Sequence, residues 1–134
     1  MTTGNVAMKY IVESQKSLEQ AAADLEAAVA KHQFGVLHVH DLQATLKNKG
    51  VDFPNGCKVF EVCNPHKANT VLNEDMSLNM ALPCRISVWE EDGMTKIGML
   101  SPKALLSALS DSAVLAKTAE EVEATSIDII NDAK

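Results

Sequence analysis

The sequence predicts a single α+β domain with helices against a mostly antiparallel sheet, and three observations predict it. Short β-rich runs alternate with helical segments along the chain. Residues 84–100 have the pattern of a β-hairpin, two alternating strands around Glu-Asp-Gly. The length of 134 residues suits one domain with a buried core. The predicted order is therefore strand, helix, strand, short helix, strand, helix, hairpin, helix.

The first part of the chain contains two predicted strands, each followed by a helix. Residues 8–14 are β-branched and roughly alternating, which is typical of a strand. Ser17 is placed to cap the next helix, with Gln20 at capping-box spacing, and apolar residues then recur at helical intervals. A second strand is predicted after Gly35, and Asp41 is predicted to cap a short second helix.

The middle of the chain contains a third strand that runs directly into a helix. Residues 57–63 alternate as a strand does. Asn64 is a good N-cap, and Pro65 suits the first helical position, where the N–H that proline lacks has no partner within the helix. The sequence thus predicts a strand-to-helix junction at the letters CNPH.

The last part of the chain is predicted to be helical. Ser101 precedes a proline and begins this region, and Thr118 is predicted to restart it because Thr118 and Glu121 have capping-box spacing. Residues 111–134 carry apolar positions over an acidic background. We expect them to form a C-terminal helical extension, packed on the domain or at a dimer interface.

Composition and charge exclude several classes of function. Twelve basic and eighteen acidic residues give a net charge of −6, and scattered lysines do not form the basic patch of a nucleic-acid binder. No apolar run approaches the roughly 20 residues of a membrane-spanning helix, and the N-terminus lacks a secretory pattern. Three cysteines, an odd number, fit a reducing compartment without a disulfide framework. We therefore expect a cytoplasmic protein with no nucleic-acid or membrane partner and no bound cofactor.

The chain contains four motifs in this order: FGVLHVHDLQATL, VCNPHKANTVL, LPCRISVWEEDG and SPKALL. Together they resemble the DUF302 family, a domain of unknown function. The resemblance runs from about Met8 to Leu109 and makes residues 1–110 one domain of this kind. It implies a TBP-like α+β fold, a curved sheet with helices on one face, and a tendency to form dimers, but no reaction. Where the family usually has a glycine before phenylalanine, this chain has Gln33. The matching positions are Phe34, Gly35, Val36, Asp41, Cys63, Asn64, Pro65, Leu82, Pro83, Cys84 and Pro102.

The cysteines of the strand-to-helix junction allow three interpretations. A metal site would draw on Cys63, His66 and Cys84; Cys57 is excluded, because it lies about 20 Å from Cys63 along one straight strand. Thiol chemistry is a second interpretation, because Cys63 precedes a helix N-terminus, which lowers a thiol pKa, and Cys84 could open the neighbouring strand within reach of a disulfide. The third interpretation is structural: Asn64 caps, Pro65 starts the helix and the sulfurs are buried.

His38 and His40 form a second candidate pair. In a strand, both side chains leave the same face about 6 to 7 Å apart, which is close enough to share a metal ion. Asp41 would point away from them in a continuing strand and fits better as a helix cap. An exposed or hydrogen-bonded histidine pair is the favoured interpretation.

Two functions from different classes remain. The first is a homodimeric binding module that takes a small ligand or a partner protein on its concave sheet or in the dimer groove. The second is a thiol-dependent protein, redox or sulfur-carrying, or a metal-binding protein, centred on Cys63 and Cys84. The candidate site residues are Cys63, Asn64, Pro65, Cys84 and Asp41.

Overall fold

The computed structural model describes residues 7–134, which form a five-stranded sheet with helices packed against it. The strands are β1 (Lys9–Ser14), β2 (Gly35–Asp41), β3 (Cys57–Cys63), β4 (Cys84–Glu91) and β5 (Met94–Leu100). The helices are α1 (Leu18–Lys31), α2 (Leu42–Asn48), α3 (Pro65–Glu74), α4 (Pro102–Leu109) and α5 (Ala113–Ala133), with a 3-10 helix at Met76–Ala81. The predicted α+β class and order of elements are confirmed.

The strands lie in the order β1-β5-β4-β3-β2, and all four pairings are antiparallel. The β4–β5 hairpin turns through Asp92 and Gly93, which have φ angles of 54° and 76°. Two successive residues with positive φ match the twist of the flanking strands, and aspartate and glycine are the residue types that adopt this backbone at low cost. The Asp-Gly pair seen in the sequence therefore sets the register of the hairpin.

The two faces of the sheet have different environments. We call the side packed against α1 and α5 the covered face; it carries the fully buried strand residues Phe60, Val62, Ile86, Val88 and Ile97. Because side chains alternate along a strand, the residues between these point to the other side, which we call the open face. Its members include Ile11, Val59, Glu61, Arg85, Ser87, Trp89, Gly98 and Leu100.

Helix α5 begins earlier than the sequence predicts. Its N-cap is Ser112, whose hydroxyl accepts a hydrogen bond from the Leu115 N–H at 3.3 Å. Thr118 is buried inside the helix, so the predicted restart there is wrong. The capping-box spacing was misleading because a buried threonine at a helical interval from Leu115 and Val122 satisfies the same pattern.

The C-terminal helix is packed against its own chain. Its apolar residues lie against α1, α3 and α4, and Ile129 and Ile130 have no exposed surface. A smaller apolar cluster lies beyond the sheet, where α3, the 3-10 helix, α4 and α5 meet around Val71, Leu78 and Leu115. Within residues 7–134, no helix combines the length and hydropathy that crossing a bilayer requires.

Helix α1 has both of its ends defined by local hydrogen bonds. Ser17 caps it as predicted, accepting from the Gln20 N–H at 3.1 Å, whereas the Gln20 side chain binds Asp24 instead of closing a capping box. At the other end, the Gln33 and Phe34 N–H groups return to the carbonyls of Ala30 and Val29, which is a Schellman motif. Gln33 has a φ of 65°, a backbone conformation that favours glycine.

Candidate functional site

The CNPH junction at the end of β3 is built as the sequence predicts. The Asn64 side-chain oxygen accepts hydrogen bonds from the His66 and Lys67 N–H groups at 3.0 and 3.2 Å, and Pro65 occupies the first turn of α3. Asn64 thereby satisfies the free N–H groups of the helix that an anion would otherwise contact. The junction is a capped helix start, and its N-terminus is already occupied by a side chain of the chain itself.

The environment of Cys63 raises its pKa, contrary to the expectation from the helix N-terminus. Partial burial disfavours the charged thiolate, and this is the cause of the shift. Because Asn64 takes the N–H groups of α3, no hydrogen bond within the described chain offsets that cost. Burial thus shifts the pKa of Cys63 in the direction opposite to the one that the thiol interpretation expected from the helix N-terminus.

Cys84 does open the strand next to β3, but it is not placed opposite Cys63. The register pairs Cys84 with Val62, whose side chain is fully buried on the covered face. Residues paired across two strands share a face, so Cys84 lies on the covered side and Cys63, one residue further, on the open side. All three cysteines are free thiols. Burial, and secondarily the nearby Cys63, raises the pKa of Cys84 to about 11.

The other predicted ligands are also separated. Asp41 caps α2, accepting from the Ala44 N–H at 2.9 Å, and lies at the opposite end of β2 from the point where Gly35 pairs with Cys63. His66 is exposed on α3. In the part of the chain that the structure describes, no three His, Cys, Asp or Glu side chains are arranged to hold a metal ion. The candidate set Cys63, His66 and Cys84 is thus not assembled into a metal site.

His38 and His40 do share the open face, and their rings lie closer than a regular strand predicts. Their centroids are 4.4 Å apart in an edge-to-face arrangement, next to a register shift between Val36 and His38. His40 Nε2 lies 3.1 Å from Glu61 Oε2, and this hydrogen bond is the main cause of a lowered Glu61 pKa. The favoured interpretation was an exposed or hydrogen-bonded histidine pair, and the hydrogen bond to Glu61 agrees with it at His40.

A cavity of about 780 Å³ lies at the end of the sheet where β4 begins and β5 ends. The open face forms its floor, the 3-10 helix and the turn before β4 form one wall, and α4 forms the other. Most of the lining is apolar, with Met80, Leu105 and Leu109 on the walls. Cys84 lines this cavity, whereas Cys63 does not.

The floor of the cavity depends on Gly98 and Trp89. A Cβ atom at position 98 would come within 3.1 Å of Trp89 Cη2 and 3.0 Å of Ile11 Cγ1. The Trp89 indole therefore lies across Gly98 on the neighbouring strand. A larger residue at position 98 would occupy the space that the indole fills. Trp89 Nε1 donates a hydrogen bond to Glu91 at 3.2 Å. The result is a flat aromatic and aliphatic surface of the kind that binds small apolar molecules.

The cavity has charged residues of one sign. Lys9 and Arg85 line it, and among its described lining residues none is acidic. Neither residue was a candidate in the sequence. Arg85 and Trp89 could have been found from the sequence, because the strict alternation of the hairpin places them on one face together with Ser87. Lys9 could not be found, because its place beside them depends on the pairing of β1 with β5.

Comparison with known proteins agrees with this architecture. The family model described as "Domain of unknown function DUF302" matches residues 10–133. The crystal structure of an uncharacterized conserved DUF302 protein from Bacillus stearothermophilus is 30% identical and has a TM-score of 0.90, covering 96% of this chain and 100% of that one. Among curated proteins none matches. The family match includes α5, which the sequence resemblance, ending at Leu109, left out.

Proposed function

The chain belongs to the DUF302 family, and on that premise we propose that it is a homodimeric binding module that takes a small apolar ligand. The ligand occupies the cavity at the end of β4 and β5. The observation that carries the proposal is the cavity itself, about 780 Å³ and mostly apolar, with few polar groups at its edge. Small-molecule sites in proteins typically measure about 300 to 1,000 Å³ and have this kind of lining.

Exposed apolar residues around the cavity support the proposal. Leu100 is 54% exposed and Leu109 52%, and both line the cavity from different elements. Apolar surface on two sides of a concavity gains from contact with a ligand, at roughly 25 cal/mol for each Å² removed from water. A ligand bound between β5 and α4 would cover both leucines at once.

The test uses a neutral apolar fluorescent probe, N-phenyl-1-naphthylamine, whose emission rises in an apolar site. We expect saturable binding at one site per chain, together with a change in the emission of Trp89, the single tryptophan, which lines the cavity. Leu100→Ala and Leu109→Ala should each weaken binding roughly tenfold, because each removes apolar contact with the probe.

Leu37→Ala is the matched control for this experiment. Leu37 is 61% exposed, as accessible as the cavity leucines, but it lies on β2 and does not line the cavity. Its replacement should leave the affinity for the probe unchanged. Equal losses in all three variants, or no saturable binding by the unaltered protein, would overturn the proposed site.

The homodimer is part of the same proposal, and the open face supports it. Ile11 on β1 and Leu100 on β5 are adjacent exposed apolar residues on that face. A second copy placed over them would bury this surface and close the cavity on its outer side. Sedimentation equilibrium should give twice the chain mass, and Ile11→Asp should shift the species towards monomer. Monomers at all concentrations would contradict the dimer.

A thiol-dependent function has weaker support. Its one favourable observation is that Cys84 lines the cavity. Burial raises the pKa of that thiol to about 11, and the side chain lies on the covered side of the sheet, so it is a poor nucleophile for a ligand in the cavity. A cytoplasmic location, by contrast, belongs to the leading proposal, and the three free cysteines support it.

A further inference from the structure

The two cations of the cavity lie in one row across the open face. Lys9 pairs with Leu100, and Arg85 precedes Ile86, which pairs with Met99, so Lys9 and Arg85 lie on either side of Leu100. Neighbouring strands are about 4.8 Å apart, which places the two backbones roughly 10 Å from each other. Both side chains are long enough to reach one group held above Leu100.

Within the described chain, Arg85 has one ion-pair partner, Glu61, and Lys9 has none. Arg85 Nη2 lies 3.6 Å from Glu61 Oε2, and the Arg85 side chain is 65% exposed. A guanidinium has five N–H donors, so one long contact leaves most of them for a ligand. Two available cations at an apolar cavity are notable in a chain of net charge −6.

We propose that the ligand is an amphipathic anion: an apolar body in the cavity and one negatively charged head group between Lys9 and Arg85. This inference rests on the proposed binding function and names its ligand class. Burial of the apolar body supplies affinity, while charge-assisted hydrogen bonds from the two cations fix the position of the head group. A cationic head group would meet two like charges at the same position.

The test compares ligands with the same ten-carbon chain and different head groups: decanoate, decyl sulfate, decanol and decyltrimethylammonium, all below their micelle concentrations. Trp89 emission reports binding. We expect decanoate to bind at least about tenfold more tightly than decanol, because hydrogen bonds to charged groups are stronger than neutral ones. The cationic chain should bind more weakly than decanol.

Two double variants separate the head-group site from general electrostatics. Lys9→Met with Arg85→Met should abolish the preference for decanoate over decanol. Lys47→Met with Lys49→Met removes the same charge from the region of α2, away from this cavity, and should preserve the preference for decanoate. A higher affinity for decanoate than for decyl sulfate would assign a carboxylate; the reverse order would assign a sulfate or phosphate ester. Both results support an anion.

The two proposals fail in different ways. If decanol binds with the expected dependence on Leu100 and Leu109 but decanoate binds no more tightly, the anion inference is overturned and the apolar site stands. The anion inference is equally overturned if the preference for decanoate survives Lys9→Met with Arg85→Met. If neither decanol nor decanoate binds, the site itself is refuted, and the ligand class with it.

Discussion

The two faces of the sheet are made from alternate residues of the same strands, yet they serve different purposes. On the covered face, Val62, Val88 and Ile97 are fully buried beneath α1 and α5. On the open face, Ile11 is half exposed beside Gly98, and Glu61 binds His40. Apolar burial stabilises the first, whereas the second keeps apolar and charged groups accessible. Under the proposed function, we expect changes on the covered face to affect folding and changes on the open face to affect binding.

The largest effect on stability is expected when two matched isoleucines, one on each face, are replaced by alanine. Ile97 has no exposed surface and Ile11 is 47% exposed, on paired strands. Ile97→Ala should lower the free energy of unfolding by about 2 to 5 kcal/mol, because it leaves a cavity in the core. Ile11→Ala should cost less than about 1 kcal/mol. Urea unfolding monitored by circular dichroism measures both, and similar costs would break the comparison.

The pH dependence of stability tests whether Cys84 is buried on the covered face. Its neutral thiol is favoured in the folded state, so the unfolded chain loses this proton first, near pH 9.0, and the folded chain only at about 11. Stability should therefore fall as the pH rises through this window, by about 2 kcal/mol more in the unaltered protein than in Cys84→Ala. Cys63→Ala should change the curve less than Cys84→Ala, because Cys63 is less buried and is only the secondary cause of the raised Cys84 pKa. Identical pH curves for the unaltered protein and Cys84→Ala would contradict the burial of this thiol.

Substitution of Gln33 tests how much the C-terminal end of α1, a helix of the covered face, contributes to stability. Gln33 and Gly50 occupy the same position in the Schellman motifs of α1 and α2, with φ angles of 65° and 84°. Gln33→Gly should raise the free energy of unfolding by about 1 kcal/mol, because a side chain at positive φ is strained. Gly50→Ala should lower it by a similar amount. A loss of stability in Gln33→Gly would show that the side chain contributes contacts worth more than the strain.

The smallest effect is expected on the open face, at Glu61. Its pKa is lowered chiefly by the hydrogen bond to His40, so this carboxylate adds stability above its usual range near pH 4.5 and loses it as the pH falls further. Glu61→Gln should flatten the dependence of the urea midpoint on pH below 4.5. Equal curves for Glu61→Gln and the unaltered protein would show that the contact is too weak to matter.

Much of the architecture was predictable because it depends on neighbouring residues. The hairpin follows from alternation around Asp92-Gly93, and the caps at Ser17, Asp41 and Asn64 each bind an N–H group within three residues. The start of α5 was missed because Thr118 fits a cap by spacing alone, and only burial shows otherwise.

The candidate site was much less predictable. Whether Cys63 and Cys84 stand together was left open by the sequence, because it depends on strand register; the pairing of Cys84 with Val62 places the two side chains on opposite faces. Lys9, Arg85 and the cavity did not enter the prediction. Their meeting requires strand pairings between segments far apart in the chain.

The sequence by itself determined the α+β class, the order of elements, the family and the helix caps, because these depend on periodicity and on hydrogen bonds within one turn. Only the tertiary structure decided which side of each strand is buried, where each cysteine lies and which residues surround the cavity. Those outcomes depend on strand register and on the docking of α4 and the 3-10 helix at one end of the sheet. No local pattern encodes contacts between residues that meet only after the chain has folded.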